Sequence, residues 1–256
     1  MIENRLSKNR ISYIRSLDRK KERSKDGVFL AEGTKVAGDL MRSFHCRFVA
    51  AVEEWFDANP QVKADEMCCV SEEELQHASL MKTPQQVLAI FDQRNETFDA
   101  SVLNHSLCLA LDGVQNPGNL GTIIRLADWF GIEHVICSPD SADIYNPKTV
   151  QSTMGAMAHV KTHYMELVPL FQSLSKDIPI YGTLLGGSNM YEEKLTQNGI
   201  IVMGNEGKGI RPETEKLVTR RLYIPNYPEN RTTTDSLNVA IATSIVCAEF
   251  RRQAVY

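Results

Sequence analysis

Three short segments place polar and glycine residues where apolar runs end, and these residue types can do chemistry. The first, Asn116-Pro117-Gly118-Asn119-Leu120-Gly121, follows SLCLALDGV and leads on to Arg125. Backbone amides, a carboxamide and a guanidinium in one short stretch suit contacts to a phosphate or an oxyanion. The same residues also read as an ordinary helix, with Asn119 as N-cap and Gly131 closing the far end. The second segment, Gly204-Asn205-Glu206-Gly207-Lys208-Gly209, follows IIVMG, and its glycines allow close backbone approach or positive φ. It is neither the phosphate-binding GxxxxGK[ST] pattern nor the dinucleotide GxGxxG pattern, and Glu206 is a poor choice for a mere turn. The third runs from Ile224-Pro225 across residues 226–235 to Ser236-Leu237-Asn238. Asp235 or Ser236 would cap the last helix, which leaves Asn238, read as one turn inside it, without a capping role.

Other chemistries find less support. His159 and His163 have the spacing of a helical metal pair, but they fall in a strand-like stretch with no HExxH glutamate, so no metal site is expected. No GxSxG pattern occurs, and the six cysteines are scattered without CxxC spacing, which argues against hydrolytic, zinc and disulfide frameworks.

The elements that must position these segments follow from periodicity. VFLAEG, RFVAAV and QQVLAIFD read as strands, and TKVAGDLMRSF, EEWFDANP and SEEELQHASLM as helices, the last opening with a Ser-x-x-Glu capping box. Residues 93–104 are polar and aperiodic and read as a linker, giving domains at 1–98 and 99–256. Beyond it, apolar strands (SLCLALDGV, HVICS, HVKTHY, PIYGTLL, GIIVMG, RLYIP) alternate with helices. This predicts a parallel sheet covered on both faces, with ligands at the carboxyl ends of its strands.

The chain has 256 residues, 43% hydrophobic and 23% charged, the composition of a soluble globular protein. No apolar run approaches the ~18 residues of a membrane helix, and the start MIENRLSKNR lacks a signal-peptide core, so no membrane partner and a cytoplasmic location are expected. The net charge of -4 hides nine Lys or Arg between Arg5 and Lys25 against Asp18 and Glu22. Such a run suits a polyanion; with Ile11, Ile14 and Leu17 at helical spacing it also suits a solvated helix face.

NPGNLGTIIRLADWFG, IVMGNEGKGI and IPNYPENRTTTDSLNVAIA, in this order, resemble the three motifs of the SpoU (TrmH-like) RNA 2'-O-ribose methyltransferases of the SPOUT class. SKNRISYIRSLDRKKERSKDGVFLAEGTKV resembles the substrate-binding domain joined to the rRNA-modifying members, so nearly the whole chain is covered. The resemblance implies an α/β fold, a SPOUT-type parallel sheet with a C-terminal trefoil knot preceded by a small α/β RNA-binding domain. It also implies S-adenosyl-L-methionine as cofactor and a homodimer. Catalytic roles fall on Asn119, Arg125, Glu206, Ser236 and Asn238. Thr183 and Leu184 fall on the adenine side of the cofactor, and Gly204, Asn205, Gly209, Ile224, Pro225 and Leu237 elsewhere around it. Arg15, Arg19, Lys20, Lys21 and Arg23 are the RNA-binding candidates.

A guanidinium is effectively always protonated, so Arg125 suits a phosphate or a developing alkoxide better than the role of base. The stripe Leu237, Ile241, Ile245, with small Ala240, Ser244 and Ala248 beside it, is compatible with the dimer. The extra N-terminal domain favours rRNA over tRNA. A non-catalytic RNA-binding protein is the competing class, and the five intact catalytic positions argue against it. One departure is visible: the family's link between Ile-Pro and Ser-Leu-Asn is usually shorter than NYPENRTTTD, which puts local cofactor contacts and substrate choice in question.

Overall fold

The computed structural model describes residues 2–3, 5–228 and 236–255. In chain order the first elements are β1 (Ile2–Glu3), α1 (Lys8–Ser16), α2 (Lys20–Asp26), β2 (Val28–Glu32), α3 (Thr34–Leu40), β3 (Cys46–Ala51), α4 (Glu53–Ala58), β4 (Glu66–Cys69), α5 (Glu72–Ala78) and β5 (Val87–Asp92). There follow β6 (Leu107–Asp112), α6 (Pro117–Trp129), β7 (His134–Cys137), α7 (Pro147–Thr153), β8 (Lys161–Tyr164), α8 (Leu167–Ser173), β9 (Ile180–Asn189), β10 (Gly199–Gly204), α9 (Pro212–Glu215), β11 (Arg220–Tyr223) and α10 (Val239–Val255). The chain clusters into two compact units, Met1–Asn95 with Asp143–His159 and Glu96–Ala142 with Val160–Tyr256.

The first unit is built on a mixed sheet of order β1-β4-β3-β5-β2, in which β5 runs antiparallel to both β2 and β3. Continuous apolar strands make its core: every residue of β2 is buried, as are the first five of β5. The capping box predicted before α5 is present, with Ser71 and Glu74 satisfying each other's backbone amides. The helical spacing in the basic run is a core face, since Ile14 and Leu17 are wholly buried. The segment 143–159, expected inside the second domain, is stitched into this unit. Tyr145 packs on Phe29 with ring centroids 4.9 Å apart, and its hydroxyl accepts from Arg94 N and donates to Arg94 O.

The second unit holds a six-stranded sheet of order β11-β9-β10-β6-β7-β8, parallel throughout. Cys108, Ala110, Ile136, Ile200 and Val202 of its central strands share a core with Phe171 of α8. The stretch read as a coreless linker contributes to it, because Leu103 is wholly buried and Phe98 packs against the same cluster. With Ala100 and Val102 these make four apolar side chains in a polar stretch, too few to show a periodicity, yet they anchor it. From β6 the chain runs outward through β7 to β8, then continues on the other side with β9 and β10. The β6–β10 pair is therefore the switch point of the sheet, where the loops after these strands diverge and leave a crevice.

α6 begins one turn earlier than expected. Its N-cap is Asn116, whose Oδ1 accepts from Gly118 N and Asn119 N at 2.8 and 3.3 Å, so Asn119 is freed from that duty. α10 packs on α6. Arg251 fastens the end of α6 by donating to Phe130 O at 2.7 Å and Gly131 O at 3.0 Å, carbonyls that a helix end otherwise leaves orphaned.

Candidate active site

At the carboxyl end of the parallel sheet lies a cavity of about 510 Å³. Its first wall comes from β9. That strand pairs with β11 at Gly182↔Arg221 and resumes at Ser188↔Leu222, so residues 183–187 leave the ladder between two consecutive partners. Thr183 and Leu184 line the cavity from this departure, and Thr183 is tethered by donating from Oγ1 to Val202 O at 3.0 Å. The second wall is the loop after β10, and the third comprises Ile224, Ser236 and Leu237. Of the remaining cofactor candidates, Gly204, Asn205 and Gly209 line the cavity, while Pro225 does not.

The loop after β10 is held in shape by identifiable contacts. Asn205 and Gly209 exchange backbone hydrogen bonds at 2.9 Å, and Gly209 has φ 69°, which favours glycine. The Asn205 side chain accepts from Gly207 N and Lys208 N and donates to Gly113 O at 2.7 Å. It therefore holds two strand-end loops together rather than offering free groups to a ligand. A Cβ on Gly204 would lie 2.3 Å from the carbonyl carbon of Gly209, so this glycine is required by chain against chain.

A relay of carboxamides joins three elements and ends at Glu206 on the wall of this cavity. Asn238 donates from Nδ2 to Asn119 Oδ1 at 3.1 Å, and Asn119 donates from Nδ2 to Glu206 Oε1 at 2.8 Å. Each amide is thereby oriented, and Glu206 keeps its second carboxylate oxygen without a hydrogen bond among the described residues. Asn238 corrects the sequence reading. It does not lie one turn inside α10; its Oδ1 accepts from Ala240 N and Ile241 N at 3.0 and 3.3 Å, so it is the N-cap. Asp235, the alternative cap, and most of the lengthened 226–235 link lie outside the described residues.

Arg125 is not gathered into this relay. It stands exposed on α6, six residues beyond Asn119 or about 9 Å along the axis, and makes no ion pair or hydrogen bond among the described residues. Sequence reasoning missed the anchor beneath the site. Asp112, wholly buried at the end of β6, accepts from Arg211 N at 2.9 Å and Arg211 Nε at 2.6 Å and pins the far end of the 205–211 loop. An acid closing the apolar run SLCLALD was the available signal. Glu215 and Arg221, paired at 2.6 Å, also line the cavity and had no such signal.

The five RNA candidates divide. Arg19, Lys20 and Lys21 are exposed, Arg19 within 3.7 Å of Glu22. Arg15 is exposed but donates to His77 O and Ser79 O at the end of α5. Arg23 is a correction: its side chain is 1% exposed and bonded to Leu17 O, Asp18 O and Asp143 at 2.7–2.8 Å. A buried guanidinium needs such partners, and with them it is a structural cation. His163 is likewise structural, its ring stacked on His134 with nitrogens 3.0 Å apart, and no metal-binding group occurs among the described residues.

Comparison with known proteins gives the family of the chain. Residues 106–248 match the family model of the SpoU rRNA Methylase family, and residues 8–89 match that of the MRM3-like substrate binding domain. The chain is 29% identical over 240 residues to the 23S rRNA (guanosine(2553)-2'-O)-methyltransferase RlmP of Bacillus subtilis, covering 93% of this chain and 94% of that one. Among solved structures, a TrmH-family protein from Porphyromonas gingivalis superposes with a TM-score of 0.88 and 38% identity over 97% of this chain and 99% of that one. An AdoMet-bound rRNA methyltransferase from Sinorhizobium meliloti does so with a TM-score of 0.83 and 27% identity, over 100% of this chain and 99% of that one. The chain belongs to the SpoU rRNA methylase family.

Proposed function

We propose that this chain is an S-adenosylmethionine-dependent RNA 2'-O-ribose methyltransferase acting on rRNA. The observation that carries the reading is Glu206, on the cavity wall at the switch point of the sheet and oriented by the Asn238–Asn119 relay. The cavity suits the cofactor. Its volume falls within the roughly 300–1,000 Å³ of small-molecule sites. Its lining combines strand-end backbone at Gly204 and Ile224 with apolar Leu184, Met203, Ile210 and Leu222, which suits a purine and a thioether chain. When bound, S-adenosylmethionine supplies an electrophilic methyl group on a sulfonium.

The protein's own groups then have three tasks. Arg125 binds the phosphate of the target nucleotide and stabilises charge developing on the ribose oxygen. The second oxygen of Glu206 accepts the hydrogen bond of the 2'-hydroxyl and aligns it for in-line attack, an arrangement in which positioning carries much of the barrier. Asn119, Ser236 and Asn238 hold that carboxylate and the cofactor wall in register. Residues 1–98, together with 143–159, form the RNA-binding part and the remainder the catalytic part. Exposed Arg19, Lys20 and Lys21 provide phosphate contacts.

A homodimer completes the reading. Leu237 and Ile241 are 48% and 54% exposed at the start of α10, and Trp129 is 84% exposed on α6, against which α10 packs. Apolar surface of this kind favours burial against a second copy. We assign a trefoil knot to the C-terminal segment on family grounds, and a cytoplasmic location because the rRNA substrate would be met there. Incubating the protein with S-adenosylmethionine and rRNA from a strain lacking it, followed by nucleoside mass spectrometry, tests the proposal. The expected product is one new 2'-O-methylnucleoside. Methylation of a base, or of tRNA alone, would overturn the assignment.

A further inference from the structure

A second cavity, of about 290 Å³, lies wholly inside the first unit. Half of its wall belongs to the segment 143–159, which the chain sends into this unit from between two strands of the other sheet. Leu30 of β2, Leu80, Met81 and Pro147 give it apolar sides that suit the faces of a flat ring. Its polar groups form an unusual set. Gln151 lines the cavity with a carboxamide that makes no hydrogen bond among the described residues. Asn146 uses Oδ1 to accept from Lys148 N at 2.9 Å, which leaves its amide N–H groups for other partners.

Glu32 is only 6% exposed yet lines the same space. One of its oxygens accepts from Leu80 N at 3.0 Å and the other from the Ser79 hydroxyl. Burial pushes this carboxyl above its ordinary range, while those two donors favour the ionised form. A carboxylate offers about four acceptor positions, so each oxygen can accept once more. Asp18 adds a second acid at the α1–α2 turn. Lys148 on the cavity wall is exposed and makes no ion pair among the described residues, and the exposed Arg19, Lys20 and Lys21 follow the lining residue Asp18 directly in the chain.

We propose that this cavity receives one unpaired nucleobase of the RNA substrate, selected for its exocyclic amino group, while Lys148 and the Arg19–Lys21 cations hold the flanking phosphates. The inference rests on the RNA reading above. Sequence-specific RNA recognition relies on splayed bases read at their edges. Carboxylates such as Glu32 and Asp18 accept from the amino groups of guanine, adenine or cytosine and are mismatched to the carbonyl O4 of uracil. Gln151, with donor and acceptor on one amide, meets a base edge in the way a second base would.

The test uses the full chain and four fluorescent 12-mer RNAs, oligouridylate with a single central G, A, C or U. At least one amino-bearing base should bind roughly tenfold tighter than the all-U probe, the scale of a well-read base edge. Gln151→Leu should remove most of that preference, and Ser152→Phe, which fills the cavity, should do the same. Lys148→Ala should instead weaken all four probes alike and flatten the slope of log affinity against log salt by about 0.7, the value for one single-strand phosphate. S-adenosylmethionine affinity and melting temperature establish that each variant is folded. Equal binding of all four probes by the unmodified chain, or a preference that survives both Gln151→Leu and Ser152→Phe, would overturn the cavity's role. Absence of methyl transfer to rRNA overturns the reaction instead, because the probe measurements judge the cavity without it.

Discussion

The arginines of α2 and α6 occupy opposite circumstances. Arg23 is enclosed, with two backbone carbonyls and the Asp143 carboxylate at 2.7–2.8 Å. Arg125 stands in the open on α6 with no partner among the described residues. A guanidinium whose two terminal nitrogens the fold has already bonded, and whose Nε is buried without a partner among the described residues, is closed to a ligand, and removing it leaves buried acceptors behind. One that the fold leaves unsatisfied adds little to stability and is free to meet an anion from outside. The same division separates Arg15, tied to the end of α5, from Lys20 and Lys21 on the surface.

The largest effect expected from this contrast is at Arg125. Arg125→Ala should reduce methyl transfer by about 10²–10³-fold, the scale for losing one group aimed at transition-state charge. Its melting temperature should stay near that of the unmodified chain, and near-normal turnover would return Arg125 to the surface background. Arg23→Ala should do the reverse. Breaking a buried ion pair from one side costs about 3–5 kcal/mol, which calorimetry should register as a drop in melting temperature of roughly 10 °C. An unchanged melting temperature with lost RNA affinity would put Arg23 back among the RNA-binding residues.

Neutralising Arg19, Lys20, Lys21 and Lys25 together should leave stability nearly unchanged and flatten the salt dependence of RNA binding, by about 0.7–0.9 in slope for each phosphate no longer engaged. An unaltered slope would make these four an ordinary solvated face. The smallest effect concerns His134 and His163. Burial is the leading cause holding both rings below the ordinary value of 6.5. The unfolded chain therefore takes up these protons before the folded chain does. Their contribution is fully present above about pH 6.5 and is lost as the pH falls towards the lower folded values. Melting temperatures at pH 7.5 and 5.5 should show the decline, and His163→Phe should reduce it.

Much of this arrangement is legible in the residues themselves, because it is local. Apolar runs mark the central strands, Ser71 and Glu74 mark the start of α5, and polar residues at strand ends mark the cavity. What escapes is long-range. Nothing near Arg23 announces Asp143, 120 positions later. The segment 143–159 carries a helix signal but no indication of the sheet on which it packs. β4 has an alternation too short to distinguish from a loop, and it becomes a strand only because β3 offers it a parallel edge. The capping role of Asn238 escapes for a related reason: Ser236 and Asp235 are equally good caps by residue type, and only the path of the backbone chooses among them.

The double engagement of Asn238 couples folding to competence. One face of its carboxamide starts α10 and the other end of the same group begins the relay to Glu206. Fraying of the first turn of this helix and loss of alignment in the site are therefore a single cooperative event. Slow hydrogen exchange at the Ala240 and Ile241 amides would report, without any substrate present, the fraction of molecules ready to react.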